Sequence, residues 1–397
     1  MTALGRQIPP AFQVAAQACV WPRRAEALER LKTLAQPGLD WDHLLRVVRR
    51  HRIAGLVHDS LRLAKVEPPA SFTGAIAEAA QTAAWRSLRL ARESLRLSHG
   101  IEAAGAPVLV LKGATLEMLA YGRLGLKEAW DIDLYVPPEA VETAIGALRA
   151  AGYERSEPSG LTDEQFRRFR RLDKEAMFTD AAQDTAVELH WGLTDVPTLL
   201  QGLQPFRDLR HVELAPGQTV RTLGPEALFA YLCVHGARHG WSRLKWLADL
   251  SALLAAETLD GRGRLHEAAV GLGAGRCPGQ GLLLCEALFG LELPEPLGRQ
   301  LRTDRQTVSL ADVALETLLL GQGAEELRHR SRAQDRISLS HFRLHPSWRH
   351  LAAEAQRKMT SAHDFCAVPL PSGLAFAYPL LRLPLALRRR WMDARSG

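Results

Sequence analysis

Apolar residues in the first hundred positions recur at helical spacing. Leu44, Leu45, Val48, Ile53, Leu56 and Val57 follow Trp41-Asp42-His43 at close to the helical period, which predicts helix with one buried face. A second helix is expected from about Ser71 to Gly100, set off by Pro68-Pro69. The pattern changes at Gly105. Pro107-Val108-Leu109-Val110-Leu111 is a short apolar run between turn formers, the signature of a buried strand. Lys112-Gly113 ends it, and Ala114–Tyr121 has helical composition. Asp131-Ile132-Asp133-Leu134-Tyr135-Val136 alternates as a strand does and is stopped by Pro137-Pro138. Glu139–Ala151 reads as an amphipathic helix closed by Gly152. After a basic stretch, Phe166–Arg171, two strands are expected at Glu175–Thr179 and Thr185–Trp191, joined by a turn at Ala182–Asp184. From Gly224-Pro225 onward the pattern is helical, with Leu-rich segments near 226–238, 243–257, 264–272, 279–290 and 308–320. Gly271–Gly281 reads as a loop, and the charged stretch 322–336 as a loop or an exposed helix face. The expected fold class is α+β: an N-terminal helical region at 1–100, a core with a short mixed sheet and helices at 101–195, and a C-terminal helical domain at 196–397.

Composition narrows the function without naming it. A net charge of +6 over 397 residues favours anionic ligands such as nucleotides but is no nucleic-acid-binding signature. Seven lysines stand against 43 arginines, and four of them, Lys112, Lys127, Lys174 and Lys245, fall in the segments of interest. The five cysteines show no paired spacing, which fits reduced thiols in the cytoplasm. Neither a secretory signal nor a spanning helix is expected. The apolar tail Val368–Trp391 contains prolines and Arg382, so it reads as a docked segment rather than a membrane anchor.

The chemistry concentrates at Asp131-Ile132-Asp133. Residues two apart on a strand share a face, so both carboxylates project together while Ile132 and Leu134 go to the core. Paired carboxylates repel unless a cation neutralises them, which is the condition for holding a divalent metal. Glu188, in Ala186-Val187-Glu188-Leu189-His190, alternates with two core residues and can supply the third carboxylate. A D-x-D alone is common on solvated strands. Here a strand ending in Lys112-Gly113 precedes it and leads into a helix whose free N–H groups can bind phosphate, with Thr115 a further contact.

Rival readings are weaker. His235 and His239 share a helix face, but Gly236 stands where a zinc-protease glutamate would be. A wall of the nucleotide cleft formed by His235, His239, Lys245 and Asp249 is more plausible, and ordinary helix packing more plausible still. The Phe166–Arg171 run reads as a solvated helix face rather than an acceptor site. His190 is expected to be structural, or to support the metal glutamate. There is no P-loop, no dinucleotide fingerprint after a strand and no kinase motif set.

Val108-Leu109-Val110-Leu111-Lys112-Gly113, Tyr121, Asp131-Ile132-Asp133-Leu134, Gly152-Tyr153 and Val187-Glu188-Leu189-His190 together resemble the uncharacterised bacterial nucleotidyltransferase family with a K-G motif. Trp41-Asp42-His43-Leu44-Leu45 with His51, and His235 followed by Trp246-Leu247-Ala248-Asp249-Leu250, are similar to it as well. The resemblance implies a DNA polymerase β-like core and a nucleoside triphosphate donor, ATP favoured. It also implies Mg²⁺, two ions with Mn²⁺ as a substitute, on Asp131, Asp133 and Glu188. Lys112, Gly113, Thr115, Lys127, Lys245 and Asp249 are the expected nucleotide-binding residues. Lys127 departs from the family's arginine, keeping charge but losing the bidentate fork. Some members of the family sit in gene clusters for modified peptides, so a peptide or small-molecule acceptor is expected ahead of nucleic acid. The alternatives are a nucleotide-binding adaptor without turnover and a tRNA-modifying toxin.

Overall fold

The computed structural model describes residues 7–319 apart from 181 and 183, residues 332–359 and 362–368, and residues 370, 378, 380 and 381. Five helices come first: α1 (Pro10–Ala18), α2 (Ala25–Leu34), α3 (Trp41–His51), α4 (Ala54–Leu63) and α5 (Ala70–Ala103). Asp40 starts α3 by accepting from the His43 N–H at 2.8 Å. The long α5 places Phe72, Ile76, Ala80, Ala83, Ser87, Leu90 and Ser94 along one buried stripe at steps of three and four.

A small mixed sheet follows, built from β1 (Leu109–Val110), α6 (Ala114–Tyr121), β2 (Asp131–Tyr135), α7 (Val141–Ala150), β3 (Glu154–Glu157), α8 (Asp163–Phe169), β4 (Glu175–Asp180) and β5 (Thr185–His190). The strand order is β1-β2-β5-β4-β3, with only the β2–β5 pair parallel. A separate hairpin, β6 (Arg210–Ala215) and β7 (Gln218–Thr222), packs beside β1 and α5. The remaining helices are α9 (Pro225–Arg238), α10 (Leu244–Ala255), α11 (Leu259–Gly271), α12 (Cys277–Phe289), α13 (Glu295–Thr303), α14 (Arg305–Leu319), α15 (Arg332–Ser340), α16 (Trp348–Met359) and α17 (Ala362–Ala367).

Among the described residues two large hydrophobic cores form, and α5 runs through both. In the first, residues of α1 to α4 and the start of α5 pack with α6 and with α9 to α14, so the two helical regions share one interior. The second lies under the sheet, where Ile132, Leu134, Ala176, Phe178, Val187 and Leu189 meet Leu90, Leu95 and Ile101 of α5 and Val141, Ala144 and Leu148 of α7. One sheet face is thereby sealed with apolar residues, and the chemistry is left to the other.

Several elements differ from expectation for identifiable reasons. β1 is only two residues, although Leu111 N–H extends the pairing by donating to the Asp133 carbonyl at 3.0 Å. β3 is an edge strand with no fully buried residue, and α13 is a nine-residue helix whose apolar face is little more than Leu297 and Leu301, so each offers few positions to read. The Phe166–Arg171 run is not one solvated face: Phe166 and Phe169 are buried and stacked at 6.0 Å, while Arg167 points outward. Gly271–Gly281 is a loop for only part of its length, because α12 begins at Cys277. Gly279 and Gly281 are helical at crossings where an added Cβ would meet Leu301 at 2.7 Å and Leu250 at 3.0 Å. Of the stretch 322–336, residues 322–331 lie outside the described residues and the rest opens α15. Most of the tail Val368–Trp391 also lies outside them. Among the described residues, no helix is long and apolar enough to cross a membrane.

Candidate active site

Two neighbouring strands carry the acidic residues. In the parallel pairing of β2 with β5, Asp133 lies opposite Glu188, Asp131 opposite Ala186 and Tyr135 opposite His190. Alternation places Asp131, Asp133, Glu188 and His190 on the face away from the sheet's apolar core. β4 adds Glu175, which pairs across from His190. Asp133 is buried, whereas Asp131 and Glu188 are partly open.

The Lys112-Gly113 turn arrives at this face because Leu111 is bonded to Asp133. Gly113 adopts φ +73° and ψ −124°, a region that a side chain makes costly, and α6 starts at the next residue. The Lys112 ammonium lies 2.5 Å from Asp133 Oδ1. Thr115 does not face the cleft: its buried hydroxyl donates to the carbonyls of Val110 and Lys112 at 3.3 and 3.2 Å, bracing the turn.

His190 sits among the carboxylates. Its Nε2 is 3.2 Å from Asp133 Oδ1 and 3.5 Å from Glu188 Oε2, and its Nδ1 is 2.8 Å from Glu175 Oε2. Glu175 also pairs with Lys174. Ligand atoms of Asp133, Glu188 and His190 all lie within 4.8 Å of one another, a group able to hold a metal ion. Asp131 is not part of that tight group, although its charge acts on Lys112 and Glu188.

The electrostatics reflect this crowding. Burial penalises a charged Asp133, but Lys112 and His190 outweigh it and hold the carboxyl well below its ordinary range. Glu188 moves up, through burial and the charge of Asp133, despite its contact with His190. Burial opposes a charged His190, yet Glu175 and Asp133 push it up to about 10. Lys112 is likewise held charged against burial by Asp133, Asp131 and Glu188. Lys112, Lys174 and His190 thus supply the positive charge among the acids.

Helix α9 faces this cluster with Tyr231 and His235, both close enough to Lys112 and Asp133 to feel their charge. His235 and His239 lie 4.5 Å apart, ring centre to ring centre, and both pack on Trp246 of α10. His239 is open to solvent yet crowded by surrounding atoms, as on a concave wall, and burial with Lys174 and Lys112 pushes it down to about 4.

The other expected nucleotide-binding residues form a second cluster. Lys127 and Asp249 are buried and paired with each other at 2.7 Å, and Asp249 also accepts from the Tyr121 hydroxyl at 3.0 Å. Lys245 donates to the Glu128 carbonyl at 3.0 Å and is pushed down to about 7 by burial, Lys127 and Arg52. These residues tie α10 to the segment entering β2. His51 has a comparable role, accepting from the Leu244 N–H at 3.0 Å where α10 begins.

Three contributors were not foreseen. Glu175 begins an ordinary-looking strand, and only the register shows that it faces His190. Buried Glu117 accepts from the N–H groups of Leu126 and Lys127 at 2.6 and 2.7 Å and from Ser87 Oγ at 2.5 Å, fixing the segment ahead of β2. Trp130, half exposed beside Asp131, has the guanidinium groups of Arg86 and Arg52 at 4.2 and 5.0 Å from its ring centre. The signal for Trp130 was an aromatic directly before the acidic pair.

The architecture is thus α+β, a small mixed sheet with helices whose open face bears carboxylates in register beside the Lys112-Gly113 turn. A family model described as uncharacterised nucleotidyltransferase matches residues 37–290, and the chain belongs to that family. It is therefore a nucleotidyltransferase, and a nucleotide is its substrate. No curated protein and no solved structure gives a match.

Proposed function

We propose that the sheet is a DNA polymerase β-like core that moves a nucleotide, AMP from ATP in the favoured case, onto a hydroxyl, phosphate or amine of a peptide or small molecule, releasing pyrophosphate. The observation that carries this reading is the register of Asp133 with Glu188, with Asp131 on the same face and Lys112-Gly113 alongside. The donor set fits a divalent ion, because four carboxylates converge where two lysines and one imidazole are the neighbouring cations. Asp131, Asp133 and Glu188 would hold Mg²⁺, one ion or two, with Mn²⁺ as a substitute. The metal would neutralise phosphate charge and favour in-line attack.

The chain's own groups supply the remainder. Lys112 and the open N-terminus of α6 offer positive potential to a triphosphate, and Gly113 lets the backbone approach it. Lys127, Lys245 and Asp249 hold the entry to β2, so they position Asp131 and contribute potential rather than a direct grip. The three expected regions keep distinct roles in this reading. Residues 101–195 carry the metal site, and residues 1–100 and 196–397 together close the cleft that selects the acceptor.

The test is transfer of label from ATP to acceptors in a lysate, with Mg²⁺ present. The unsubstituted chain is expected to transfer it and Asp131→Asn is not. Equal binding of Mg-ATP by both would overturn the metal assignment.

A further inference from the structure

The placement of His190 suits more than charge balance. Lys112 already lies on Asp133 Oδ1, the same oxygen that His190 Nε2 approaches at 3.2 Å. A lysine ammonium has no lone pair to give a metal, whereas an imidazole has one once the metal displaces its Nε2 proton to solvent. The two ring nitrogens also have different surroundings: Nε2 faces Asp133 and Glu188, and Nδ1 lies 2.8 Å from Glu175, close but out of line for a hydrogen bond, so that buried nitrogen is left for the carboxylate to satisfy by a small rotation. A carboxylate behind one nitrogen, with the other turned to a ligand cluster, is the usual support of a metal-bound histidine. Strand geometry accounts for the placement, since Glu188 and His190 share a face, Asp133 is opposite Glu188, and Glu175 is opposite His190.

We infer that His190 is a metal ligand with Asp133 and Glu188, that Glu175 orients it, and that the site prefers a manganese-class ion to magnesium. This rests on the reading that the carboxylates hold a divalent metal. Oxygen-only sites suit Mg²⁺, and one imidazole shifts preference toward the first-row transition ions. Asp131, outside the tight group, remains available as an oxygen ligand.

Mn²⁺ is the probe, added to the full chain with and without a non-hydrolysable ATP analogue and followed by electron paramagnetic resonance. Pulsed spectra of the unsubstituted chain are expected to show a directly bound nitrogen, and selective ¹⁵N-histidine labelling should change that coupling. This measurement needs no variant to fold. In His190→Gln the coupling should vanish and Mn²⁺ affinity fall by about ten- to a hundredfold, with Mg²⁺ affinity changing less. Glu175→Gln should keep the coupling and lose about tenfold in Mn²⁺ affinity. Bound Mn²⁺ without nitrogen coupling, or coupling that persists in His190→Gln, would overturn the inference and leave the carboxylate site standing. Failure to bind Mn²⁺ under either condition would overturn both.

Discussion

Two clusters of buried charge meet α9, one at Tyr231 and His235 and the other at Arg238, and they are built to opposite rules. In the structural one, fully buried Glu354 of α16 is contacted by Arg238 at 2.9 Å, Arg357 at 3.0 Å, Lys358 at 3.3 Å and His341 at 3.6 Å. Asp195 shares Arg238 and Arg357, at 2.7 and 3.1 Å. There, permanent cations outnumber carboxylates and each acid is bonded from several sides. At the sheet the balance is reversed: Asp131, Asp133, Glu175 and Glu188 face Lys112 and Lys174, with His190 shared among three of the acids. Buried charge alone therefore does not mark an active site. In the proposed reading, a shortage of fixed positive charge is what distinguishes the cluster that would take a metal and a phosphate.

The sharpest way to break that contrast is to remove one acid from each cluster. Asp133→Asn should lower transfer by on the order of a thousandfold, because an acid that would hold metal is lost, while the melting temperature moves little. A variant that kept near-normal turnover would remove the distinction between the clusters. In Glu354→Gln the outcome should invert. Leaving three cations short of their partner costs about 3–5 kcal/mol of stability, and folded protein at low temperature should turn over much as before. Denaturant unfolding and single-temperature assays separate the two results.

The same cluster predicts how stability responds to acid. Burial pushes His341 down to about 4, and Arg238 and Lys358 oppose its charging despite Glu354. Between its ordinary value of 6.5 and about 4 the unfolded histidine takes a proton that the folded one refuses, so stability falls as pH drops through that window. Glu354 is held far below its ordinary 4.5 against the pull of burial, by His341, Arg357 and Arg238. Its contribution is complete above 4.5 and declines as pH falls further. In Glu354→Gln the lower limb should flatten, and an unchanged acid profile would count against this account.

A smaller effect is expected from Glu117→Leu. The carboxylate accepts three hydrogen bonds in the interior, two from the backbone just ahead of β2. Leucine presents no oxygen to those donors, so about 1–3 kcal/mol should be lost. Turnover should fall with it, because Lys127 and Trp130 approach Asp131 through that segment. A loss of stability with unimpaired turnover would show that the segment does not position the site.

Where a residue's job is set by its own strand or helix, the sequence was legible. Alternation placed Asp131 and Asp133 outward and Ile132 and Leu134 inward, and the structure has them so. Helical periodicity located α5, α9 and α10 to within a few residues, but it ran α3 and α4 together, because the left-handed Arg52 that separates them interrupts no apolar spacing. What stayed hidden depends on register or on partners far along the chain. The pairing of Glu175 with His190 follows from β4 lying beside β5, and that of Lys127 with Asp249 joins positions more than a hundred residues apart. The weak strands β3, β6 and β7 bury too little apolar surface to leave a pattern.

The mildest test concerns Gly113, where the site meets the turn. Its φ of +73° with ψ of −124° belongs to a region that residues with a Cβ avoid, yet the nearest atom to an added Cβ, outside its chain neighbours, is the Asp131 carbonyl oxygen at 3.9 Å. Space therefore permits alanine, and the penalty in Gly113→Ala is conformational, about 1–2 kcal/mol. The backbone can relieve it only by turning the peptide that carries Lys112 into α6. If that turn holds phosphate, KM for the nucleotide should rise several-fold while kcat changes less. The structural cluster at Glu354 should not respond. Should kcat fall and KM stay fixed, the turn would be acting on the acids themselves, and the separation between phosphate grip and acidic site would have to be redrawn.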